Sequence, residues 1–234
     1  MTTFVLVHSP LVGPATWSAL IPELRARGVE AIAPDLRSPE PGASVFWKFH
    51  ARSVAAAIHM LPLGDPLVLV GHSAAGALLP AIREISARPV SAYLFVDAGL
   101  PDGSRSRKGT GGFAERLAEL HAGGHRFPEW TDRDLREVIP DDERRCALLA
   151  EVRPAPPAFW EEVVPVFVGW PDAPCGYLRF APNPSYDDAA AEARARGWPC
   201  REMPGGHFHM LVDPQEVADA LVALAGVVRG APAK

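Results

Sequence analysis

A serine can attack a carbonyl only if its hydroxyl is held away from the backbone and a base stands ready to take its proton. The run Leu67-Val68-Leu69-Val70-Gly71-His72-Ser73-Ala74-Ala75-Gly76 meets the first requirement, because an apolar strand breaks at a small residue, presents Ser73, and resumes as an Ala/Leu-rich helix. That layout is a nucleophile elbow, a turn so sharp that only small residues fit two before and two after the serine. Gly71 and Ala75 hold those places; Ala75 departs from the strict glycine, with Gly76 beside it. The candidate base is His207, in Pro204-Gly205-Gly206-His207-Phe208-His209-Met210-Leu211-Val212-Asp213-Pro214. This segment follows a short strand-like piece, residues 200–203, and precedes an amphipathic C-terminal helix. The imidazole therefore falls on a glycine-flanked loop that can reach a serine at a neighbouring strand end.

Two further segments join these, Phe4-Val5-Leu6-Val7-His8-Ser9-Pro10-Leu11-Val12-Gly13-Pro14-Ala15-Thr16-Trp17 and Val29-Glu30-Ala31-Ile32-Ala33-Pro34-Asp35-Leu36-Arg37. With them the chain resembles, over nearly its whole length, the α/β-hydrolases, in particular small members related to plant esterases and hydroxynitrile lyases. The first segment is similar to that family's first-loop signature followed by a tryptophan, the second to its second apolar strand ending in Asp-Leu. The resemblance implies an α/β-hydrolase fold with a helical cap over the pocket and a Ser–His–acid triad.

The acid departs from the family's common pattern. Most members place it just after the strand that follows the cap; here that strand is 176–180, and Ala181-Pro182-Asn183-Pro184-Ser185-Tyr186 follows with no carboxylate. Asp187 and Asp188 come where an Ala/Glu/Arg pattern has begun a helix, so their expected task is to cap its first turn. Strand 93–96 instead runs directly into Asp97, 24 residues after Ser73. A minority of the family, haloalkane dehalogenases among them, carries its acid at that strand end. The resemblance thus assigns the orienting acid to Asp97, the alternative being a carboxylate that only turns the chain into the next segment. For the oxyanion hole it implies the N–H after the nucleophile, from Ala74, and a second N–H from the loop after the first strand. The residue matching that second donor is Pro10, which has no N–H. Leu11 N–H and the Ser9 hydroxyl are the local candidates, and loss of a donor costs roughly 100-fold or more in rate.

The elements that must position these groups alternate along the chain. Apolar runs at 3–7, 29–33, 67–70, 92–96, 177–180 and 200–203 predict about six strands. Helices are predicted between them at 15–27, 44–61, 74–87, 187–196 and 214–228. This alternation predicts an α/β fold, a mostly parallel sheet covered on both faces, and a single domain over 1–234. From about 100 to 165 the alternation stops: a turn-rich opening at 103–112 precedes short helices at 113–121, 132–138 and 141–151 and a proline-rich 153–157. This interval is the expected cap insertion. Phe127, Trp130, Phe159, Trp160 and Trp170 are candidate pocket walls, with Trp130 and Trp160 the expected substrate-binding pair.

With 48% hydrophobic residues among 234, the chain can bury a large core. A net charge of −5 argues against a nucleic-acid partner; Arg105, Arg107 and Lys108 form the one basic cluster, expected on a solvated loop. Cys146, Cys175 and Cys200 have no metal or redox spacing, which predicts free thiols in a reducing compartment. The first strand begins at once and no apolar stretch reaches about 20 residues, so a cytoplasmic protein without a membrane partner is expected. His8 and His72 are expected to support the site by hydrogen bonds, and His50 and His59 to lie at a helix surface or edge. His207, His209 and Asp213 make too thin a set for a metal, and no cofactor is expected.

The reading is a cofactor-independent serine hydrolase using Ser73, His207 and Asp97 on an ester or thioester of a small, largely apolar molecule. The alternative keeps the scaffold as a lyase, cyclase or isomerase in secondary metabolism, with His207 moving protons while Ser73 positions substrate. A binding protein with a vestigial site is the third reading, and a homodimer is left open.

Overall fold

A computed structural model describes residues 2–36, 45–108 and 112–230. The expected helix start at Ser44, Arg37 of the second-strand segment, and positions 109–111 of the turn-rich opening lie outside the described residues. Six strands, β1 (Thr3–Val7), β2 (Glu30–Ile32), β3 (Leu67–Ser73), β4 (Ala92–Ala98), β5 (Cys175–Ala181) and β6 (Cys200–Pro204), form one sheet in the order β2-β1-β3-β4-β5-β6. All five pairings are parallel.

Side chains alternate across a strand, and here both alternating sets are apolar. Phe4, Leu6, Val68, Val70, Leu94 and Val96 pack in one layer with Leu20 and Leu24 of α1 (Leu20–Ala26) and Leu221 and Val228 of α9 (Pro214–Gly230). Val5, Val7, Leu67, Leu69, Tyr93 and Phe95 pack in the other. Their partners there are α2 (Phe46–His59), α3 (Leu79–Ser86) and α8 (Asp187–Ala195).

Two predicted helices are each divided. Residues 15–27 form a 3₁₀ turn, Pro14–Trp17, then α1; residues 74–87 form a 3₁₀ turn, Gly76–Leu78, then α3. The cause is proline. Pro22 and Pro80 lack the N–H that the interior of a continuous helix requires, and by restarting at Leu20 and Leu79 the chain puts each in a first turn, where that N–H has no intrahelical partner. Strands β3 and β4 also run further than the apolar runs predict, so that Ser73 and Asp97 are strand residues rather than loop residues.

Between β4 and β5 lie α4 (Gly112–Ala122), α5 (Asp132–Leu135), α6 (Asp142–Ala150) and α7 (Pro157–Glu161). This insertion overturns two expectations about polar side chains. His50 is 4% exposed, not at a surface, because α7 lays Phe159 edge-on against it at 6.3 Å. Arg107 is buried as well, its guanidinium 4.5 Å over the Phe159 ring and 3.4 Å from Glu162. Glu162 in turn accepts the backbone N–H groups of Phe46 and Trp47 that open α2. A carboxylate at a helix start satisfies orphan donors, and the buried guanidinium offsets its charge.

Candidate active site

Ser73 ends β3 with φ 58°, a left-handed conformation that a serine adopts only under constraint. Packing supplies the constraint. A Cβ on Gly71 would lie 3.1 Å from the Gly76 Cα, and one on Gly76 would lie 2.1 Å from the Gly99 carbonyl oxygen. The elbow's second glycine demand therefore falls on Gly76, which is why Ala75 fits, fully buried, in the place the strict motif gives to glycine.

Asp97, on the adjacent strand, also has a left-handed φ, 42°, beside a register shift in the β3–β4 pairing. The Tyr177 hydroxyl accepts the Ala98 N–H at 3.1 Å and donates to the Ala98 carbonyl at 2.9 Å, clamping the backbone next to Asp97. The Asp97 carboxylate is fully buried, which is tolerable because three donors meet it. Phe180 N–H reaches Oδ1 at 3.3 Å, while Asn183 Nδ2 and, at 2.7 Å, His207 Nδ1 reach Oδ2. Asn183 Nδ2 lies 3.4 Å from the same His207 nitrogen. Both nitrogens carry hydrogens directed at Asp97, so Asn183 steadies the carboxylate rather than the ring.

The imidazole is held from two sides. His72 Nε2 donates to the His207 carbonyl at 2.9 Å, and the two rings lie 4.3 Å apart. Burial pushes His72 well below the usual histidine range, so it stays neutral and adds no charge beside His207. On the other side the Tyr186 ring stacks on His207, 5.1 Å between centroids with planes 9° apart, and its hydroxyl sits 2.9 Å from Ser73 Oγ. His8 supports the first loop: Nδ1 donates to the Ser9 carbonyl at 2.8 Å and Nε2 accepts from Leu36 N–H at 3.3 Å, with burial lowering its pKa to about 4.

Ser73, Ala74 and His207 line a cavity of about 640 Å³ together with Ser9, Leu11, Asn183 and Tyr186. Leu11 N–H points at Ser9 Oγ, 3.3 Å away, so the hydroxyl carries the polarity of that loop into the cavity. Phe127, Trp130 and Trp160 form aromatic walls, Phe127 making edge contact with Trp130 at 5.7 Å and with Trp160 at 5.9 Å. Phe159 and Trp170 do not reach the cavity: Phe159 packs under Trp160 and Phe46, and Trp170 against Tyr93 and Trp198. His209 turns away onto Phe180 and Glu216. Asp187 stands in the first turn of α8, but its side chain pairs with Arg179 instead of capping the helix. Among the described residues no group of three or more His, Cys, Asp or Glu side chains is arranged to hold a metal, and no helix is long and apolar enough to cross a membrane.

Sequence reasoning missed Asn183, Tyr186 and Tyr177. The first two had a signal: they occupy the loop where the family's usual acid was sought and not found.

A parallel sheet with a serine elbow at one strand end and a histidine loop over it defines the α/β-hydrolase class. The chain belongs to the alpha/beta hydrolase family, whose model matches residues 4–220, and it is an esterase-like hydrolase. It is 26% identical to a carbendazim hydrolyzing esterase from Nocardioides sp. (strain SG-4G), over 96% of this chain and 100% of that one. An extracellular alpha/beta-hydrolase from a Paenibacillus species superposes with a TM-score of 0.76 at 19% identity, covering 96% of this chain and 99% of that one. A methylesterase from Arabidopsis does so with a TM-score of 0.71 at 18% identity, covering 97% and 100%. These two likenesses are of fold.

Proposed function

We propose that the protein hydrolyses esters of small, largely apolar, aromatic molecules through an acyl-enzyme on Ser73, with His207 as base and Asp97 as orienting acid. The observation that carries this reading is the buried 2.7 Å contact between Asp97 and His207 Nδ1, made beside a serine held in the left-handed elbow conformation. His207 then holds its Nδ1 proton toward the carboxylate and leaves Nε2 free to take the Ser73 proton. Ser73 Oγ bonds to the substrate carbonyl carbon, and the proton passes from His207 to the departing oxygen. Water gives a proton to the same nitrogen, attacks the acyl carbon, and the C–Oγ bond breaks as Ser73 is reprotonated. Ala74 N–H is assigned to the developing oxyanion, and because Leu11 N–H is given to Ser9 Oγ, the first loop's donor is the Ser9 hydroxyl.

The insertion acts as the cap, its aromatic walls suiting a flat, ring-bearing substrate; the Nocardioides relative is a carbendazim hydrolyzing esterase. Thioesters fall within the same chemistry. Pro10, which removes one backbone donor, favours the second reading of a lyase, cyclase or isomerase on the same scaffold.

Ser73→Ala is the direct test. Activity against phenyl and methyl esters, and covalent labelling by a fluorophosphonate, should both vanish, with a rate loss of roughly 10⁶-fold by comparison with other serine hydrolases. Turnover or labelling that survives, with circular dichroism unchanged, would remove Ser73 from the mechanism.

A further inference from the structure

Tyr186 closes the 3₁₀ turn Pro184–Tyr186 after β5 and touches two reacting groups at once, its ring flat on His207 and its hydroxyl 2.9 Å from Ser73 Oγ. Burial raises the phenol above its ordinary range, so it keeps its proton at any working pH. A protonated phenol can donate one hydrogen bond and accept another without entering the proton transfer itself.

In acyl transfer the departing oxygen satisfies two conditions: it is attached to the carbon that Ser73 Oγ attacks, and it must meet His207 to collect a proton. The attacking water of the second half-reaction meets the same two conditions in reverse. Tyr186 stands beside the place where they coincide, its hydroxyl within hydrogen-bond distance of Oγ and its ring stacked on the imidazole, and it lines the cavity.

We infer that Tyr186 is a further catalytic residue, whose hydroxyl binds the departing oxygen while its bond to the acyl carbon breaks and then holds the hydrolytic water. The inference rests on the acyl-enzyme reading of Ser73. The proton accounting is that of the histidine alone: Ser73 to His207 to the leaving alcohol, then water to His207 to Ser73. Tyr186 contributes a hydrogen bond to negative charge growing on oxygen, which matters most when the leaving group is a poor one.

Tyr186→Phe removes only that hydroxyl. On acetates of graded leaving-group basicity, kcat/KM should fall about 10²-fold for ethyl acetate but less than about 10-fold for 4-nitrophenyl acetate. Its dependence on leaving-group pKa should therefore be steeper than in the native protein. Fluorophosphonate labelling of Ser73 should persist, because fluoride departs without a proton. A loss uniform across the series would place the hydrogen bond on the carbonyl oxygen and overturn the inference. No loss at all, or labelling lost in step with activity, would make Tyr186 a packing residue and overturn it equally. Residual ester hydrolysis in Ser73→Ala would instead break the acyl-enzyme reading, so the two failures are separable.

Discussion

The sheet and the insertion between β4 and β5 are built by different rules. In the sheet, β1, β3 and β4 are buried along their whole length, and two helical layers close over them. Ser73 and Asp97 lie at the ends of two such strands, so the proposed nucleophile and orienting acid sit on fully buried backbone. The insertion has helices of only four to eleven residues. It is held by particular side-chain pairs: Glu162 with the start of α2 and Arg107, Arg145 with Asp132 at 2.7 Å and with the Ile139 carbonyl at 2.8 Å, and a small aromatic cluster around Trp160. The contrast suggests a division of labour in which strand ends set reactivity and the insertion sets what is admitted. Substitutions in the two regions should then separate into effects on kcat and effects on selectivity.

After the loss of Ser73 itself, the largest effect is expected at the β4 end. Asp97→Asn should keep the fold and cut the rate by up to roughly 10⁴-fold, the scale seen when a triad acid loses its charge. Because Asn183 stands 3.4 Å from the same ring nitrogen, exchanging the pair as Asp97→Asn with Asn183→Asp moves the carboxylate to the loop after β5 and should recover much of that loss. Asp187→Asn and Asp188→Asn should change the rate little. Steady-state kinetics on these variants would check the assignment; a severe loss at Asp187 with a mild one at Asp97 would move the acid off the sheet.

In the insertion, Trp130→Ala should raise KM for aryl esters by about tenfold, the worth of one aromatic contact, while leaving kcat for methyl acetate nearly unchanged. A kcat collapse for both substrates would mean that the insertion also positions His207, through the Phe208 ring 5.7 Å from Trp130.

The smallest effect concerns the seam between the two regions. Burial lowers the pKa of His50 to about 3 and of His8 to about 4, against an ordinary value near 6.5. As pH falls below 6.5 the unfolded chain takes up protons that the folded protein refuses, so stability is complete above that value and is lost on acidification toward about 4. The slope approaches about 1.4 kcal/mol per pH unit for each histidine. His50→Leu should lower the slope by one proton's worth, measured by urea unfolding between pH 7 and pH 4.5; an unchanged slope would mean that His50 titrates alike in both states.

Much of the sheet was legible because burial on both faces leaves a local trace, the unbroken apolar run. The elbow and the histidine loop were legible because sharp turns need small residues and glycines at fixed offsets, a demand written within ten residues. The helix breaks at Pro22 and Pro80 were also legible in principle, since a missing N–H is a covalent property. The fate of Arg107 and His50 had no such trace: whether a polar side chain is buried depends on what another segment lays over it, and Phe159 lies more than fifty residues away from Arg107 and more than a hundred from His50.

The sequence by itself determined that a serine, a histidine and a carboxylate would be available at strand ends and loops of a parallel α/β sheet, because each depends on short-range chemistry. Only the tertiary structure decided that Asn183 would sit beside Asp97 at the imidazole, that Tyr186 would lie across His207 and Ser73, and that Gly76 would meet the Gly99 carbonyl. Those contacts join residues from 21 to more than a hundred positions apart, and such distances in the chain are closed by the packing of the whole sheet rather than by any local preference.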